Sequence, residues 1–361
     1  MAAAEETTPL VSLDHEGLVI RRGRRSGLYT IVAVHSTTLG PALGGCRMWR
    51  YASSADAARD ALRLARAMTF KAAAAGVPVG GGKGVICAGP GGAPAGAERR
   101  DVLLDFADTV EVLDGAYITA EDVGTSSADM IVIRERTAHV VGLPESRGGS
   151  GDPSPFTALG VESAMRACCA RRFGSPELAG RSVSIVGVGR VGSALARRLS
   201  AAGARLFLAD IDESKRALAD ELPGAQWCDP NVALHADADI VAPCALGGVV
   251  AESNVELLRC AIVCGSANNQ LAHEGLAEDL EQRGILYAPD FVANAGGLIN
   301  VAAEREGYDR ELATRRVRGI EPVMEDLFEE AEATETTPLA AAYRLARRRL
   351  AAATAPDPVT A

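Results

Sequence analysis

Apolar residues of the chain fall into two patterns. Short runs of β-branched and other apolar residues, such as 28–35 and 116–120, are typical of buried strands. Longer Ala/Leu/Arg-rich stretches, such as 54–75 and 157–172, have the length and spacing of helices. Because strands and helices alternate through most of the chain, the pattern predicts an α/β fold.

A glycine motif follows one of these strands. Residues 181–186 predict a strand, and the next residues open a helix: Gly187, Val188, Gly189, Arg190, Val191 and Gly192. The following strand, 205–209, ends at Asp210, eighteen residues after Gly192. This context is that of a dinucleotide site, in which glycines let the backbone approach a pyrophosphate at a helix N-terminus. The alternative is a strand–helix turn that binds nothing.

The acid after the second strand bears on the choice of dinucleotide. Asp210 can accept hydrogen bonds from the adenosine ribose hydroxyls, and its charge would repel a 2′-phosphate. The sequence therefore favours NAD over NADP as the cofactor.

With 361 residues, the chain is long enough for two domains. The Gly/Pro-rich segment 148–155 is a candidate hinge. We predict a substrate-binding and oligomerisation α/β domain over 1–148 and a Rossmann-type, doubly wound NAD-binding domain over 149–334, with a cleft between them. The C-terminal helix, about 335–355, is expected to pack back on the first domain. Residues 1–8 and 354–361 are expected to be frayed ends.

Charge and composition exclude several classes of function. The net charge of −10 and the pI of about 5.2 argue against nucleic acid or an anionic membrane as a partner. No apolar run reaches the roughly 18 residues of a membrane span, and no signal peptide is recognisable, which predicts a cytoplasmic protein. The eight cysteines and five histidines lack metal-ligand spacing, so we predict reduced thiols and no metal site.

Lysine is rare in this chain. Of the 37 basic residues, 34 are arginine, and the three lysines are Lys71, Lys83 and Lys215. Lysine, unlike arginine, can lose its proton when it is desolvated or lies near another cation. Lys71 is predicted to lie near the C-terminal end of the helix 54–75. Lys83 follows a run of three glycines and directly precedes a predicted strand over 84–88. We interpret Lys71 and Lys83 as one anion-binding amine and one base; the alternative is a single phosphate-binding lysine in a glycine-rich loop.

Polar residues follow several of the predicted strands. Asp122 follows strand 116–120, and Asn268, Asn269 and Asn294 follow later apolar strands. The carboxyl ends of parallel strands form the ligand crevice of α/β folds, so these side chains are candidates for substrate or nicotinamide contacts. A helix cap at Asp122 and Asx turns at the asparagines are the alternatives.

Taken together, these motifs resemble the glutamate/leucine/phenylalanine/valine dehydrogenase family, most closely its short bacterial leucine, valine and phenylalanine members. The resemblance runs from about residue 37 to 306. Besides the glycine motif, it rests on the segments 40–49, 68–86, 117–124, 149–160, 242–248, 266–270 and 288–301. One departure is Gly89, since the family usually has Asp, Asn, Ser or Thr before the proline at position 90. This difference concerns the shape of the loop rather than the chemistry.

The resemblance implies reversible oxidative deamination, in which an L-amino acid, NAD and water give a 2-oxo acid, ammonia and NADH. It implies that Lys71 binds the substrate α-carboxylate, at the end lined by Gly44 and Gly45. Lys83 would be the base that activates water for attack on the iminium intermediate, and Asp122 would exchange protons with the departing amine. The side chain of a lysine in water has a pKa of about 10.4, so a lysine that acts as a base needs this pKa lowered by burial or by a like charge.

Further contacts are implied by the same resemblance. Asn269 would orient the substrate beside the nicotinamide. Contacts to the cofactor, besides the glycine motif and Asp210, would come from Cys244, Ala245, Asn268 and Asn294. A homo-oligomer that packs through the first domain is also implied.

The side-chain pocket implied by the resemblance is apolar, with Leu43, Ala120, Leu298 and Val301 as its walls. A glutamate enzyme would need a cation there. Ala120 and Val301 resemble the leucine and valine enzymes, whereas Leu298 resembles the phenylalanine enzymes. A methylene or two is worth only ~1–3 kcal/mol, so both classes stay open, with a leucine/valine/isoleucine substrate ahead of phenylalanine.

Two rival hypotheses lie outside this activity. A catalytically silent NAD-binding regulatory protein could have the same fold, although it would not need both Lys83 and Asp122. An NAD enzyme of 2-hydroxy acids would require a catalytic His–Asp/Glu pair near the cofactor, and the sequence offers none at such a position.

Overall fold

The computed structural model describes residues 13–89 and 91–354, so most of the predicted frayed ends and Pro90 lie outside the described part. The chain divides into two compact units. Within the described residues, the first unit contains 13–69, 78–89 and 91–144, and the second contains 70–77 and 145–354. The predicted division at 148/149 did not include the segment 70–77 in the second unit.

The fold contains eleven strands and thirteen α-helices within the described residues. The strands are β1 (Gly17–Arg22), β2 (Tyr29–Ser36), β3 (Ala42–Arg50), β4 (Gly80–Ala88), β5 (Tyr117–Glu121), β6 (Ser182–Val186), β7 (Arg205–Ala209), β8 (Gln226–Trp227), β9 (Ile240–Pro243), β10 (Ile262–Val263) and β11 (Leu286–Tyr287). The helices are α1 (Ser54–Ala75), α2 (Gly96–Glu111), α3 (Ser127–Arg134), α4 (Ser154–Phe173), α5 (Arg190–Ala201), α6 (Ala217–Glu221), α7 (Pro230–Leu234), α8 (Leu276–Gln282), α9 (Asp290–Ala293), α10 (Gly296–Ala302), α11 (Arg310–Arg318), α12 (Ile320–Ala333) and α13 (Pro338–Thr354).

The first unit is a five-stranded mixed sheet with helices on both faces. Its strand order is β1-β2-β4-β3-β5; β1 and β4 run antiparallel to β2, and β3 runs parallel to both β4 and β5. One face buries Ile31 and Val85 against the alanines of α1. The other face buries apolar side chains of α2 and α3, with Phe106 and Met130 fully buried.

Two glycine-rich segments of this unit are strands, which corrects the sequence-based prediction. The glycines of residues 40–49 are typical of a turn-rich segment, yet these residues contain most of β3, and β4 begins at Gly80 rather than at residue 84. The reason is close packing rather than flexibility. A Cβ on Gly82 would lie 2.6 Å from the ring of Tyr117, and one on Gly84 would lie 2.4 Å from the ring of Phe106. Glycine is needed because aromatic side chains occupy the space above the strand.

The second unit is a doubly wound α/β fold, as predicted. Its six strands are all parallel, in the order β11-β10-β9-β6-β7-β8. The strand order reverses between β6 and β9, and ligands of such sheets bind outside the carboxyl ends of the strands at this point.

The C-terminal region contains three helices, α11 to α13. α11 ends at Arg318, and Pro322 stands in the first turn of α12, where its missing N–H breaks no helical hydrogen bond. In α13, Tyr343 packs edge-on against Phe70 with ring centroids 5.4 Å apart. Phe70 belongs to the segment 70–77 of the second unit, so this contact of α13 lies within that unit. No helix in the described part of the chain is long and apolar enough to cross a membrane.

Candidate functional site

In the first unit, three charged side chains meet at one oxygen atom. The Lys83 ammonium donates to Oδ2 of Asp122 at 2.8 Å, and Nε of Arg47 donates to the same Oδ2 at 3.0 Å. The Lys83 side chain is 6% exposed and that of Asp122 is 24% exposed. A water-poor setting strengthens these ion pairs, while the partly open carboxylate can still reach a ligand.

Strand geometry brings these residues together. Arg47 lies on β3, Lys83 lies on the neighbouring β4, and Asp122 follows β5 on the other side of β3. A Cβ on Gly45 would lie 2.7 Å from the Cβ of Asp122, so only glycine lets the exit of β5 approach β3 this closely. The carbonyl of the other predicted site glycine, Gly44, accepts a 2.6 Å hydrogen bond from the hydroxyl of Tyr117.

Asp122 is held as an anion. Burial raises the pKa of its carboxyl, but the charges of Lys83 and Arg47 outweigh burial and lower the pKa to about 2. The helix-cap alternative does not describe this side chain, because the cap of α3 is Ser126. The arrangement therefore places the amine of Lys83 within hydrogen-bond distance of a fixed negative charge.

A second polar cluster lies in the second unit. The Lys71 ammonium donates to Oδ1 of Asn294 at 2.6 Å. The Asn294 amide in turn donates to Oδ1 of Asn268 at 2.9 Å and to the carbonyl of Ser266 at 3.1 Å. Three predicted site residues are thus joined in one hydrogen-bonded chain, with a cation at one end.

Sequence reasoning missed an acid beside this cluster. Asp290 is 6% exposed and accepts a 2.9 Å hydrogen bond from the backbone N–H of Gln270. Burial raises its pKa, against the backbone hydrogen bonds and the charge of Lys71. The signal in the sequence was an acid at the exit of β11, the same signal that identified Asp122.

Helix α13 supports the turn that carries Lys71. The guanidinium of Arg349 donates to the carbonyls of Ala73 and Ala74, at 2.9 and 2.7 Å, and so caps the C-terminal end of α1. Terminal carbonyls of a helix have no partner within the helix, so a cation there stabilises the last turn.

We expect Arg349→Met to lower the free energy of unfolding by about 1–3 kcal/mol, because two helix carbonyls lose a charged donor. Because the family resemblance implies that Lys71 binds the α-carboxylate of an amino acid, the KM for the amino acid should rise, while the KM for the dinucleotide should stay unchanged. Urea denaturation and steady-state kinetics measure both effects, with Arg347→Met on the exposed side of α13 as the control. An unchanged amino acid KM in a destabilised Arg349 variant would contradict this role.

The glycine motif has the shape of a dinucleotide cradle. Gly187 has φ +103°, and a Cβ there would lie 2.7 Å from the backbone nitrogen of Ala245. A Cβ on Gly192 would lie 2.0 Å from the carbonyl oxygen of Gly187, whereas one on Gly189 would meet nothing within 4 Å. Gly187 is thus required for packing against Ala245, Gly192 is required for packing against the backbone of Gly187, and Gly189 lies at open space where α5 begins.

Asp210 lies at the end of β7 beside this motif. Its Oδ2 accepts hydrogen bonds from the backbone N–H of Val188 at 2.9 Å and from the ammonium of Lys215 at 3.1 Å. Burial raises the pKa of the Asp210 carboxyl, but the backbone donors and Lys215 outweigh it and lower the pKa. An ionised acid next to the glycine turn fits the ribose hydroxyls of a dinucleotide.

The remaining predicted contacts divide between the units. Leu43 and Ala120 are buried on β3 and β5 of the first unit, and Leu298 and Val301 are buried on α10 of the second. Asn269 lies in a bend of the chain with φ +52°, and its backbone carbonyl accepts the N–H of Gly248 at 2.7 Å.

Comparisons with known proteins agree with this geometry. The family model "Glu/Leu/Phe/Val dehydrogenase, dimerisation domain" matches residues 18–139, and "Glutamate/Leucine/Phenylalanine/Valine dehydrogenase" matches residues 207–356. Leucine dehydrogenase of Thermoactinomyces intermedius is 44% identical over 93% of this chain and 91% of its own length. The chain belongs to the Glu/Leu/Phe/Val dehydrogenase family. This confirms the resemblance inferred from the motifs.

Other members of the family are similar over almost the whole chain. Valine dehydrogenase of Streptomyces coelicolor is 43% identical over 94% of this chain and 93% of its own length. The crystal structure of L-tryptophan dehydrogenase from Nostoc punctiforme matches with a TM-score of 0.79 and 38% identity, covering 94% of this chain and 97% of that one. The protein is an amino acid dehydrogenase.

A third family model concerns the cofactor. "D-isomer specific 2-hydroxyacid dehydrogenase, NAD binding domain" matches residues 161–246, which contain the glycine motif and Asp210. This match lies within the second unit and includes neither Lys71 nor Lys83. It supports a nicotinamide cofactor in the second unit.

Proposed function

We propose that the protein catalyses the reversible, NAD-dependent oxidative deamination of a branched-chain aliphatic L-amino acid. The observation that carries this proposal is the ion pair between the buried Lys83 and the partly exposed Asp122, in a member of the amino acid dehydrogenase family. A silent NAD-binding protein would have no need for a lysine held at 6% exposure against a carboxylate.

In the proposed reaction, the Lys71 ammonium binds the substrate α-carboxylate by a charge-assisted hydrogen bond. NAD, when bound to the glycine motif and Asp210, supplies the hydride acceptor. Lys83, once neutral, takes a proton from the water that attacks the iminium carbon. The carbinolamine nitrogen then takes up a proton and leaves as ammonia, while the carbinolamine hydroxyl gives up its proton and becomes the carbonyl of the 2-oxo acid.

The role of Asp122 follows from its charge. A carboxyl with a pKa of about 2 does not carry a proton of its own near neutrality. Asp122 can therefore relay a proton only while Lys83 supplies or removes it across their 2.8 Å hydrogen bond. Between these transfers the carboxylate is placed to hold the substrate ammonium or the departing ammonia.

We propose NAD rather than NADP because an ionised Asp210 would face a 2′-phosphate. Replacing Asp210 by serine removes this repulsion and frees Lys215 to bind the phosphate. We expect the ratio of kcat/KM for NADP to that for NAD to rise by roughly 10–100-fold, since a hydrogen bond to a charged group is worth about 1.5–3 kcal/mol. Asp220→Asn, an exposed acid on α6, is the control. An unchanged ratio in the Asp210 variant would contradict the assignment.

The choice of substrate rests on the apolar side chains carried over from the family. Leu43, Ala120, Leu298 and Val301 offer no cation to a glutamate side chain. The proposal is tested by comparing kcat/KM for L-leucine, L-valine, L-isoleucine, L-phenylalanine, L-tryptophan and L-glutamate with NAD at alkaline pH. A branched-chain substrate should rank first and glutamate last. Phenylalanine, which Leu298 favours, is the second candidate, and its ranking first would make the protein a phenylalanine dehydrogenase.

We also propose a homo-oligomer. The part of the chain that matches the family's dimerisation domain contains β1, which is an edge strand of its sheet with Ile20 47% exposed. An exposed edge strand with an apolar side chain is available for pairing with another copy. Light scattering of the purified protein tests this, and a monomeric mass would reject it. The cytoplasmic location stays a prediction from the sequence.

A further inference from the structure

Arg47 has no role in the reaction proposed above, yet its side chain is hydrogen-bonded to Asp122. Its Nε donates to Oδ2 of Asp122 at 3.0 Å, the same atom that accepts from Lys83. Its Nη1 donates to Oδ2 of Asp60 at 3.0 Å. The Arg47 side chain is 21% exposed, so these pairs are shielded from most of the solvent.

The second contact anchors the guanidinium. Oδ2 of Asp60 also accepts from the hydroxyl of Tyr51 at 2.7 Å, and its Oδ1 accepts from Arg63 at 2.8 Å. Burial raises the pKa of Asp60, but Tyr51, Arg63 and Arg47 outweigh it, so the carboxyl is ionised. Arg47 is thus fixed at both ends, by α1 through Asp60 and by the exit of β5 through Asp122.

We propose that Arg47 is a positioning residue that weakens the hold of Asp122 on the Lys83 proton, so that Lys83 can act as a base. This inference rests on the proposed function. Because both cations bind the same oxygen, the guanidinium takes part of the negative charge that would otherwise stabilise the Lys83 ammonium. It also keeps Oδ2 turned toward Lys83 and Oδ1 outside both ion pairs.

Other titratable groups around the pair do not compete for this role near neutral pH. Cys46 on β3 and Tyr117 on β5 are close enough to the pair to affect it if they were charged. Burial raises the pKa of each well above its usual value, so both side chains are neutral near neutral pH. Burial also raises the pKa of Tyr51. Farther along, Asp129 and Arg99 form their own ion pair at 2.7 Å. Arg47 and Asp60 are therefore the fixed charges behind Asp122.

The test is the pH dependence of kcat for oxidative deamination, which reports ionisation within the enzyme–substrate complex. Arg47→Met removes the competing charge and strengthens the Lys83–Asp122 pair. We expect the midpoint of the rising limb to move to higher pH by about one unit or more, since a charge within ~4–6 Å changes a pKa by roughly 1–3. Arg47→Gln should shift the midpoint in the same direction, and it replaces Arg47→Met in the test if the methionine variant does not fold. Arg47→Lys should keep the midpoint of the wild type, because it keeps the charge.

A matched control is Arg99→Met, which removes a comparable arginine–aspartate pair that does not touch Asp122. It should lower thermal stability without moving the midpoint. If the wild type turns over no amino acid, the proposed function fails. If the wild type is active and the Arg47→Met or Arg47→Gln midpoint coincides with that of the wild type, the role of Arg47 is rejected, however much kcat falls.

Discussion

Lys83→Met is expected to lower kcat for oxidative deamination by about 10²–10⁴-fold, the usual contribution of a general base. Methionine fills a similar volume on β4 but cannot take a proton from water. The dinucleotide contacts proposed for the glycine motif and Asp210 lie in the second unit, so the affinity for NADH should be unchanged. Steady-state kinetics at alkaline pH and NADH fluorescence titration measure the two quantities.

A charge-preserving variant separates catalysis from the ion pair. Lys83→Arg keeps a cation that can pair with Asp122, but arginine stays protonated at any working pH and cannot act as a base. This variant should recover much of the stability lost in Lys83→Met and none of the turnover. Turnover in either variant within tenfold of the wild type would show that Lys83 is not the base.

Asp122→Asn is expected to have a second large effect, again about 10²–10⁴-fold on kcat. The substitution removes the anion through which the proposed proton relay runs. It also leaves Lys83 and Arg47 facing each other, and removing one partner of a buried ion pair costs several kcal/mol of stability. Kinetics in both reaction directions and urea denaturation measure these losses.

The stability difference between the wild type and Asp122→Asn should depend on pH. The pKa of Asp122 in the folded protein is about 2, below the roughly 3.9 of an unfolded chain. Its stabilising contribution is therefore complete above about pH 4 and is lost as the pH falls toward 2. Asp129→Asn is the control for the loss of turnover, since that carboxylate is paired with Arg99 and not with Lys83. This variant should lose stability and keep its turnover.

Local patterns were sufficient to predict much of the fold. Helix α1 has the bounds expected from its composition, because a 22-residue Ala/Leu/Arg stretch begins after a capping serine and ends before Gly76. The strand–glycine–helix unit from β6 to α5 was predicted for the same reason. Its glycines, its helix and the acid Asp210 lie within 30 residues, so the whole pattern of a dinucleotide site can be recognised in one short segment.

The rest depended on contacts between distant residues. Strands β3 and β4 were missed in part because glycine is usually unfavourable in strands. The rings of Tyr117 and Phe106 explain the glycines of β4, and the close approach of Asp122 explains Gly45 on β3. Arg47 and Asp122 are 75 residues apart in sequence. Lys71 and Asn294 are 223 apart, and their hydrogen bond forms within a unit that the chain enters twice. Pattern and spacing alone do not encode such pairings.

The most direct test of the account is the ratio of ammonia released to NADH formed when the purified protein is incubated with L-leucine and NAD at alkaline pH. We predict one ammonia per NADH in the wild type, and formation of both products slowed by at least about 100-fold in Lys83→Met. NADH binding without formation of NADH from any of the six amino acids compared would contradict the account. It would leave the protein as a nucleotide-binding member of the family without catalytic activity.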